Sequence, residues 1–227
     1  AEITVRTLLG HRAGLAALRR PLPEAAMYDW ELMTAELAAE EPWWEPGTTH
    51  GYHTNTYGFL VGEIVRRAGG EPVGDWFRRQ IAEPLGADFH FGLPEAEDQR
   101  VAEFLFPDIP PEFLAAGAPL LVRQAYLNPP GVSGLGTVNT RAWRAAVMPS
   151  TNGHATARAV AQIYGALAGE GSLGGVRILG PEILAEATRT SAPAARWGSP
   201  TRTLAWPSLT PPTRSRARAG RTRATAG

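Results

Sequence analysis

Helical spacing of apolar residues is the feature that most limits the folds open to this chain. Within residues 56–69 the apolar side chains recur every three or four positions, at Tyr57, Leu60, Val61, Ile64, Val65 and Ala68. A second stripe occupies residues 155–168, at Val160, Ile163, Tyr164 and Leu167. This spacing puts the apolar side chains on one face of a helix. The clear periodicities are all of this kind, so the packed part of the chain is predicted to be mainly helical.

Capping residues predict where several helices begin. Thr4 and Asp29 each precede an apolar periodic run, where their side-chain oxygens can accept hydrogen bonds from the first turn. The helix after Thr4 is expected to end near Gly14, and Pro181 can open a late helix because its first turn tolerates proline. Many Pro and Gly residues interrupt residues 84–153, which are predicted to form loops and short helices.

The charged residues exclude several kinds of chemistry. All 22 basic residues are arginine, and 22 acidic residues balance them. The balance gives no general attraction to nucleic acid or to an anionic membrane surface, so neither is expected as a partner. Without lysine the chain cannot contain a Ser-x-x-Lys pair, a Lys-Thr-Gly triplet or a nucleotide-binding P-loop. Without cysteine it has no disulfides, no thiolate nucleophile and no thiolate metal ligands.

Targeting segments are not visible in the sequence. No run of about 18 uncharged apolar residues occurs, so no membrane span is expected. The first residues contain neither an initiator Met nor a basic segment followed by an apolar one, so no signal peptide is recognised. A cytoplasmic location is the working expectation.

The composition changes after Glu186, which is the last acidic residue. Residues 191–227 contain seven arginines among Pro, Ser, Thr, Ala and Gly. We therefore expect a packed partial domain over residues 1–190 and a disordered basic Pro/Arg-rich tail over 191–227. Two interpretations of the tail stay open. It has the composition of a GC-rich gene read out of frame, and it could also be a functional disordered segment.

Other candidate motifs are weak. Residues 131–135 read Gly-Val-Ser-Gly-Leu, with leucine where a nucleophile elbow requires glycine. Ser150-Thr151-Asn152 matches a Ser-x-Asn triplet, but three-residue matches are common, and the favoured interpretation is that Asn152 or Thr151 caps the helix that follows. His50 and His53 form a close histidine pair without a third ligand at a recognisable spacing, so neither a metal site nor a cofactor is predicted.

Three phrases of the sequence carry a resemblance to a known family. Residues 44–58 contain Trp-Glu-Pro-Gly, then Tyr-His-Thr, then a helix beginning Tyr-Gly. This resembles the second motif of class C β-lactamases and their carboxylesterase relatives, which is Trp-x-Pro-Gly followed by Tyr-x-Asn and a Tyr-Gly-x-Leu-x-Gly-x-Ile helix. Residues 3–15 resemble the family's earlier Ile-Thr-Val-Arg-x-Leu-Leu-x-His-x-Ser-Gly-Leu phrase. Residues 152–158 resemble the start of a later helix of its esterase-like members.

The resemblance implies a fold and a function class. The fold is α+β multi-domain, of the β-lactamase/transpeptidase type within the serine β-lactamase and penicillin-binding-protein superfamily. This chain is expected to hold mainly the helical domain, with little of the flanked antiparallel sheet. The implied activity is that of a serine hydrolase on a small ester, lactone or β-lactam substrate, with no cofactor.

The same resemblance implies site residues. Tyr52 matches the tyrosine of Tyr-x-Asn, which relays a proton beside the catalytic lysine of the family, and it is the predicted catalytic residue. Thr54 stands at the motif's asparagine, a departure that favours esters over β-lactams. Thr54 and His154 are the predicted substrate-binding residues.

The motifs that are absent matter as much as those present. In the family the Ser-x-x-Lys helix precedes the first phrase, so its place is expected upstream of Ala1, and the third motif is expected beyond about residue 190. We therefore predict that the chain is a fragment and inactive in the family's reaction, because catalytic groups that act as a unit fail together. The alternative is a non-catalytic binding module that keeps the family cleft.

Overall fold

The computed structural model describes residues 2–105 and 117–189. Short helices dominate this part of the chain, and the strands are two residues long. The helices are α1 Val5–Leu9, α2 Trp30–Ala39, α3 Thr56–Gly69, α4 Val73–Phe77, α5 Glu83–Leu85, α6 Leu120–Leu127, α7 Arg141–Ala145, α8 Ala157–Ala168 and α9 Pro181–Ala187. The strands are β1 Phe89–His90, β2 His154–Ala155, β3 Ser172–Leu173 and β4 Val176–Arg177. 3₁₀ turns occupy Glu24–Tyr28 and Glu95–Arg100, and a π-helical turn, Arg78–Ala82, joins α4 to α5.

The predicted caps of the first two helices are confirmed. Thr4 accepts a hydrogen bond from the backbone N–H of Thr7 at 3.1 Å, and Asp29 accepts one from Leu32 at 3.0 Å. The predicted end of the first helix near Gly14 is wrong. Helix α1 ends at Leu9, because the chain turns at His11, whose φ of 55° lies in the left-handed region.

The predicted cap of the helix after residue 152 is also wrong. Thr156 caps α8 by accepting from the N–H of Ala159 at 3.1 Å. Asn152 is 2% exposed and instead braces the preceding loop. Its Oδ1 accepts from the Met148 N–H at 2.9 Å, and its Nδ2 donates to the Trp143 carbonyl at 2.8 Å. A buried amide that satisfies three backbone groups in this way fixes a loop rather than a helix end.

The main core lies where α2 packs against α3. Met33 and Leu37 of α2 and Phe59 of α3 are each 1% exposed, and Trp143 of α7 closes the same cluster. A polar link crosses the same pair of helices, since the Trp30 indole N–H donates to Glu63 at 2.9 Å.

The predicted stripe of α3 is only partly right, since Phe59 lies outside it, while Leu60, Val61 and Ile64 pack against a smaller cluster formed by Leu8, Ala13 and Leu15. The predicted stripe of α8 is wrong at Val160 and Tyr164, which are 40% and 55% exposed, and its Ile163 packs against a separate cluster.

The sheet content is small. Strands β1 and β2 pair antiparallel, with His90 opposite His154, and β3 pairs antiparallel with β4. This small sheet content agrees with the prediction that the chain is mainly helical with little sheet. Residues 191–227, predicted to be a disordered tail, lie outside the described residues. No helix within residues 2–105 and 117–189 is long and apolar enough to cross a membrane.

Candidate active site

Two chain segments interlock around Tyr52. The segment that precedes α3 is tied along its length to the turn after α1. The Trp43 N–H donates to the Gly14 carbonyl at 2.8 Å, and the Gly51 N–H donates to the His11 carbonyl at 3.0 Å. Backbone hydrogen bonds at both ends of the segment give Tyr52 a defined position immediately before α3.

His11 lies directly against Tyr52. Their ring centroids are 5.2 Å apart and the planes meet at 64°, an edge-on arrangement that aromatic rings favour. The Nδ1 atom of His11 accepts a hydrogen bond from the backbone N–H of His53 at 3.2 Å. The His11 ring also contacts Tyr57, with centroids 4.4 Å apart. One imidazole therefore contacts the predicted catalytic tyrosine and two residues that follow it.

His53 is buried next to this pair. Its exposure is 0%, and its Nδ1 lies 2.6 Å from the Gly51 carbonyl. Since a carbonyl can only accept, this geometry assigns the ring proton to Nδ1 and leaves Nε2 as an acceptor. The Trp44 ring meets the His53 ring at 89°, with centroids 5.7 Å apart. His53 is thus held by this hydrogen bond, by the edge-on Trp44 ring and by a tilted contact with the His11 ring at 5.5 Å between centroids.

Burial controls the protonation of these groups. It raises the pKa of the Tyr52 phenol, and Tyr126 raises it further by charge repulsion. Burial lowers the pKa of His11 to about 4, assisted by repulsion from His50. It also lowers the pKa of His53 to about 4, although the Gly51 carbonyl opposes that change. Near neutral pH the phenol is therefore protonated and both imidazoles are neutral.

The residues after Tyr52 face inward. Thr54 is 8% exposed, and its Oγ1 has no hydrogen-bond partner among the described residues. The Asn55 amide donates to the Ala125 carbonyl at 2.6 Å and to Ser133 Oγ at 3.0 Å, and Ser133 in turn donates to the Tyr126 carbonyl at 2.8 Å. Substrate binding by Thr54 stays a prediction. Ser133, from the incomplete nucleophile elbow, bonds within a structural network here.

Ser150 of the Ser-x-Asn triplet also has a structural contact. Its Oγ accepts a hydrogen bond from the Gly58 N–H at 2.6 Å, at the start of α3. A Cβ at Gly58 would lie 2.4 Å from the Ser150 backbone nitrogen, so only glycine allows this approach. The contact joins the first turn of α3 to the loop before β2.

His154 lies beside a different cavity from Tyr52. It faces His90 across the β1–β2 pair, and a cavity of about 410 Å³ opens beside the two. Neither Tyr52 nor Thr54 is among the described residues that line it. Burial lowers the pKa of His154. The structure thus places His154 at a cavity that Tyr52 and Thr54 do not line, and substrate binding by His154 stays a prediction.

Potential metal ligands are not clustered in the described part of the chain. Within residues 2–105 and 117–189, no group of three or more His, Asp or Glu side chains is placed to hold a metal ion. In the His50–His53 pair, the Nδ1 of His53 is already engaged by the Gly51 carbonyl.

Comparison with known proteins identifies the family. The Beta-lactamase family matches residues 1–217 of the sequence. This chain belongs to the β-lactamase family. It is 34% identical over 201 residues to the esterase/beta-lactamase LipL of Mycobacterium tuberculosis, covering 83% of this chain and 46% of LipL.

Solved structures show the fold. A family VIII carboxylesterase is 40% identical with a TM-score of 0.73, covering 82% of this chain and 49% of the other. A penicillin-binding protein homologue from Caulobacter crescentus is 38% identical with the same TM-score, covering 84% and 50%. The predicted superfamily and β-lactamase/transpeptidase-like fold are confirmed. The chain spans about half the length of the relatives it matches.

Sequence reasoning found Tyr52 and missed the histidines around it. His11 is part of the phrase at residues 3–15, yet no spacing rule connects it with a position 42 residues later. The one local signal in the sequence is Gly10, a residue that can end a helix just before His11. The sequence suggests a role for His53 only as a metal ligand.

Proposed function

We propose that this chain is part of an ester-hydrolysing member of the β-lactamase family, to which it contributes the tyrosine of the active site. The observation that carries the proposal is the position of Tyr52. It matches the family's Tyr-x-Asn tyrosine, directly precedes α3 and is held in place by His11. The 40% identity to a family VIII carboxylesterase supports an ester substrate, as does Thr54 in place of the motif's asparagine.

Tyr52 is suited to donate a hydrogen bond in this chain. Because burial raises the pKa of its phenol, the hydroxyl keeps its proton near neutral pH. A general base must instead lose that proton, which a nearby ammonium group would favour. The 227 residues contain no lysine to supply the ammonium. We therefore propose that Tyr52 donates to an oxygen of the bound ester, and that this polypeptide alone does not turn the ester over.

Turnover is tested with the polypeptide as it stands. The purified chain is incubated with 4-nitrophenyl butyrate, and release of nitrophenolate is compared with buffer alone. A fluorophosphonate probe reports any activated serine by covalent labelling. We expect a rate equal to that of buffer and no labelling. Hydrolysis that the fluorophosphonate abolishes would show that these residues hold a complete serine hydrolase site.

Binding is tested with an ester analogue that resists hydrolysis, the butyric anilide of 4-nitroaniline. We expect saturable binding that Tyr52→Phe weakens by roughly two- to tenfold, the effect of losing one neutral hydrogen bond. The matched control is Tyr164→Phe, since Tyr164 lies on α8 and is 55% exposed. An affinity unchanged by Tyr52→Phe would contradict the role of Tyr52. It would favour the second candidate, a binding module that uses the cleft without its phenol.

A further inference from the structure

The geometry points to His11 as the residue that positions Tyr52. This inference rests on the proposed function, which makes Tyr52 the reacting tyrosine of the site. We infer that His11 acts through Tyr52 and does not itself touch the ester. His11 accepts hydrogen bonds from two backbone N–H groups of the segment that contains Tyr52. Its ring also packs edge-on against the Tyr52 ring.

The three contacts come from one residue. The His11 carbonyl accepts the N–H of Gly51 at 3.0 Å, and its Nδ1 accepts the N–H of His53 at 3.2 Å. The residues on the two sides of Tyr52 therefore both donate their backbone N–H groups to residue 11. The His11 ring lies edge-on to the Tyr52 ring, with centroids 5.2 Å apart. A residue held on both sides and against its ring has little freedom to change the direction of its phenol.

The backbone of His11 makes this arrangement possible. Its φ of 55° turns the chain straight after α1, so that the carbonyl and the side chain point to the same neighbouring segment. Few residues with a side chain adopt this left-handed conformation, and Asn, Asp and His are enriched among them. Histidine and asparagine both supply an acceptor from this conformation, at Nδ1 and Oδ1.

The surroundings of His11 keep its acceptor available. Nδ1 accepts only while it carries no proton, and burial lowers the pKa of His11 to about 4. Repulsion from His50 acts in the same direction. The other titratable rings against it are His53, Tyr52 and Tyr57, and each is uncharged near neutral pH. The acceptor is therefore retained across the neutral range.

A matched pair of variants separates the acceptor from the backbone. His11→Gly and His11→Asn both tolerate φ of 55°, but only asparagine has an acceptor in the place of Nδ1. Amide hydrogen exchange of His53 reports the hydrogen bond. NMR of ¹³Cζ-labelled tyrosine, assigned with Tyr52→Phe, reports the pKa of the Tyr52 phenol. The Trp43 amide, bonded to the Gly14 carbonyl, is the reference in the same samples, because a general loss of stability would speed exchange at both amides and a lost His11 acceptor only at His53.

The expected results differ between the two variants. In His11→Gly the His53 amide should exchange about tenfold faster, the factor for one lost hydrogen bond. The phenol pKa should fall toward its ordinary value of about 10. In His11→Asn the slow exchange of the His53 amide should be restored. Unchanged exchange and an unchanged Tyr52 pKa in His11→Gly would overturn the inference, and so would fast exchange in both variants.

A measurement on the unaltered chain covers the case in which His11→Gly does not fold. Acidification through pH 4 protonates Nδ1 and removes the acceptor of the His53 N–H. Protection of the His53 amide, measured against its intrinsic exchange rate at each pH, should then fall more than that of the Trp43 amide, which is bonded to the Gly14 carbonyl and has no titrating partner. An equal change in protection at both amides would overturn the inference. None of these readouts uses an ester. A confirmed positioning role without binding of the anilide would therefore refute the proposed function alone.

Discussion

Burial of His53 should make the fold sensitive to mild acid. Its pKa is about 4 in the folded chain and 6.5 in an unfolded one, so between these values the unfolded state binds more protons. The free energy of unfolding therefore rises with pH through this window and is lost as the pH falls. One pKa unit corresponds to about 1.4 kcal/mol, so the full difference is about 3 kcal/mol. Typical domains have about 5–15 kcal/mol in total.

The matched variant for this test is His53→Asn. Asparagine keeps an N–H that can donate to the Gly51 carbonyl, as the Nδ1 of His53 does at 2.6 Å, but it does not titrate. Its loss of ring packing lowers stability by the same amount at every pH. Only the pH-dependent part of the difference between the two proteins therefore reports the buried imidazole.

Urea unfolding followed by tryptophan fluorescence measures the effect. Between pH 7 and pH 4.5 the unaltered chain should lose about 2 to 3 kcal/mol more than His53→Asn. His11, whose pKa is also about 4, contributes in the same direction in both proteins, and its contribution cancels in the comparison. His90→Gln serves as a second control, since His90 bonds to Asp88 on another part of the fold. Parallel pH dependence of the unaltered chain and His53→Asn would refute the reasoning.

Two further predictions concern the effect of single substitutions on the free energy of unfolding. Gly58→Ala should lower the free energy of unfolding by about 1–3 kcal/mol in urea titration, because its Cβ would lie 2.4 Å from the Ser150 nitrogen. Gly70→Ala is not a neutral comparison, since Gly70 has φ of 75°, so Gly165→Ala on α8 is the control. Thr156→Ala should cost about 1 kcal/mol by loss of the α8 cap, and Thr156→Ser should restore most of it in thermal unfolding. Equal stability of the Ala and Ser variants at residue 156 would contradict the cap.

The sequence by itself determined the local structure of the helices. The helix α3 and the caps at Thr4 and Asp29 depend on residues at most four positions apart, so they can be predicted from spacing, although the face of α3 that enters the main core could not. The phrases at residues 3–15 and 44–58 identified the family and Tyr52 for a similar reason, because each is a short continuous motif. The small share of sheet followed from that family resemblance.

Only the tertiary structure decided what surrounds Tyr52. His11 meets His53 across 42 residues of chain, and its turn after α1 overrode the longer helix that the sequence suggested. Asn152 has the chemistry of a cap but is drawn into a buried loop, while His154 lines a cavity apart from Tyr52. The physical reason is common to these cases. A polar side chain bonds to whatever buried backbone group the fold brings near it, and distant segments meet only when the core packs.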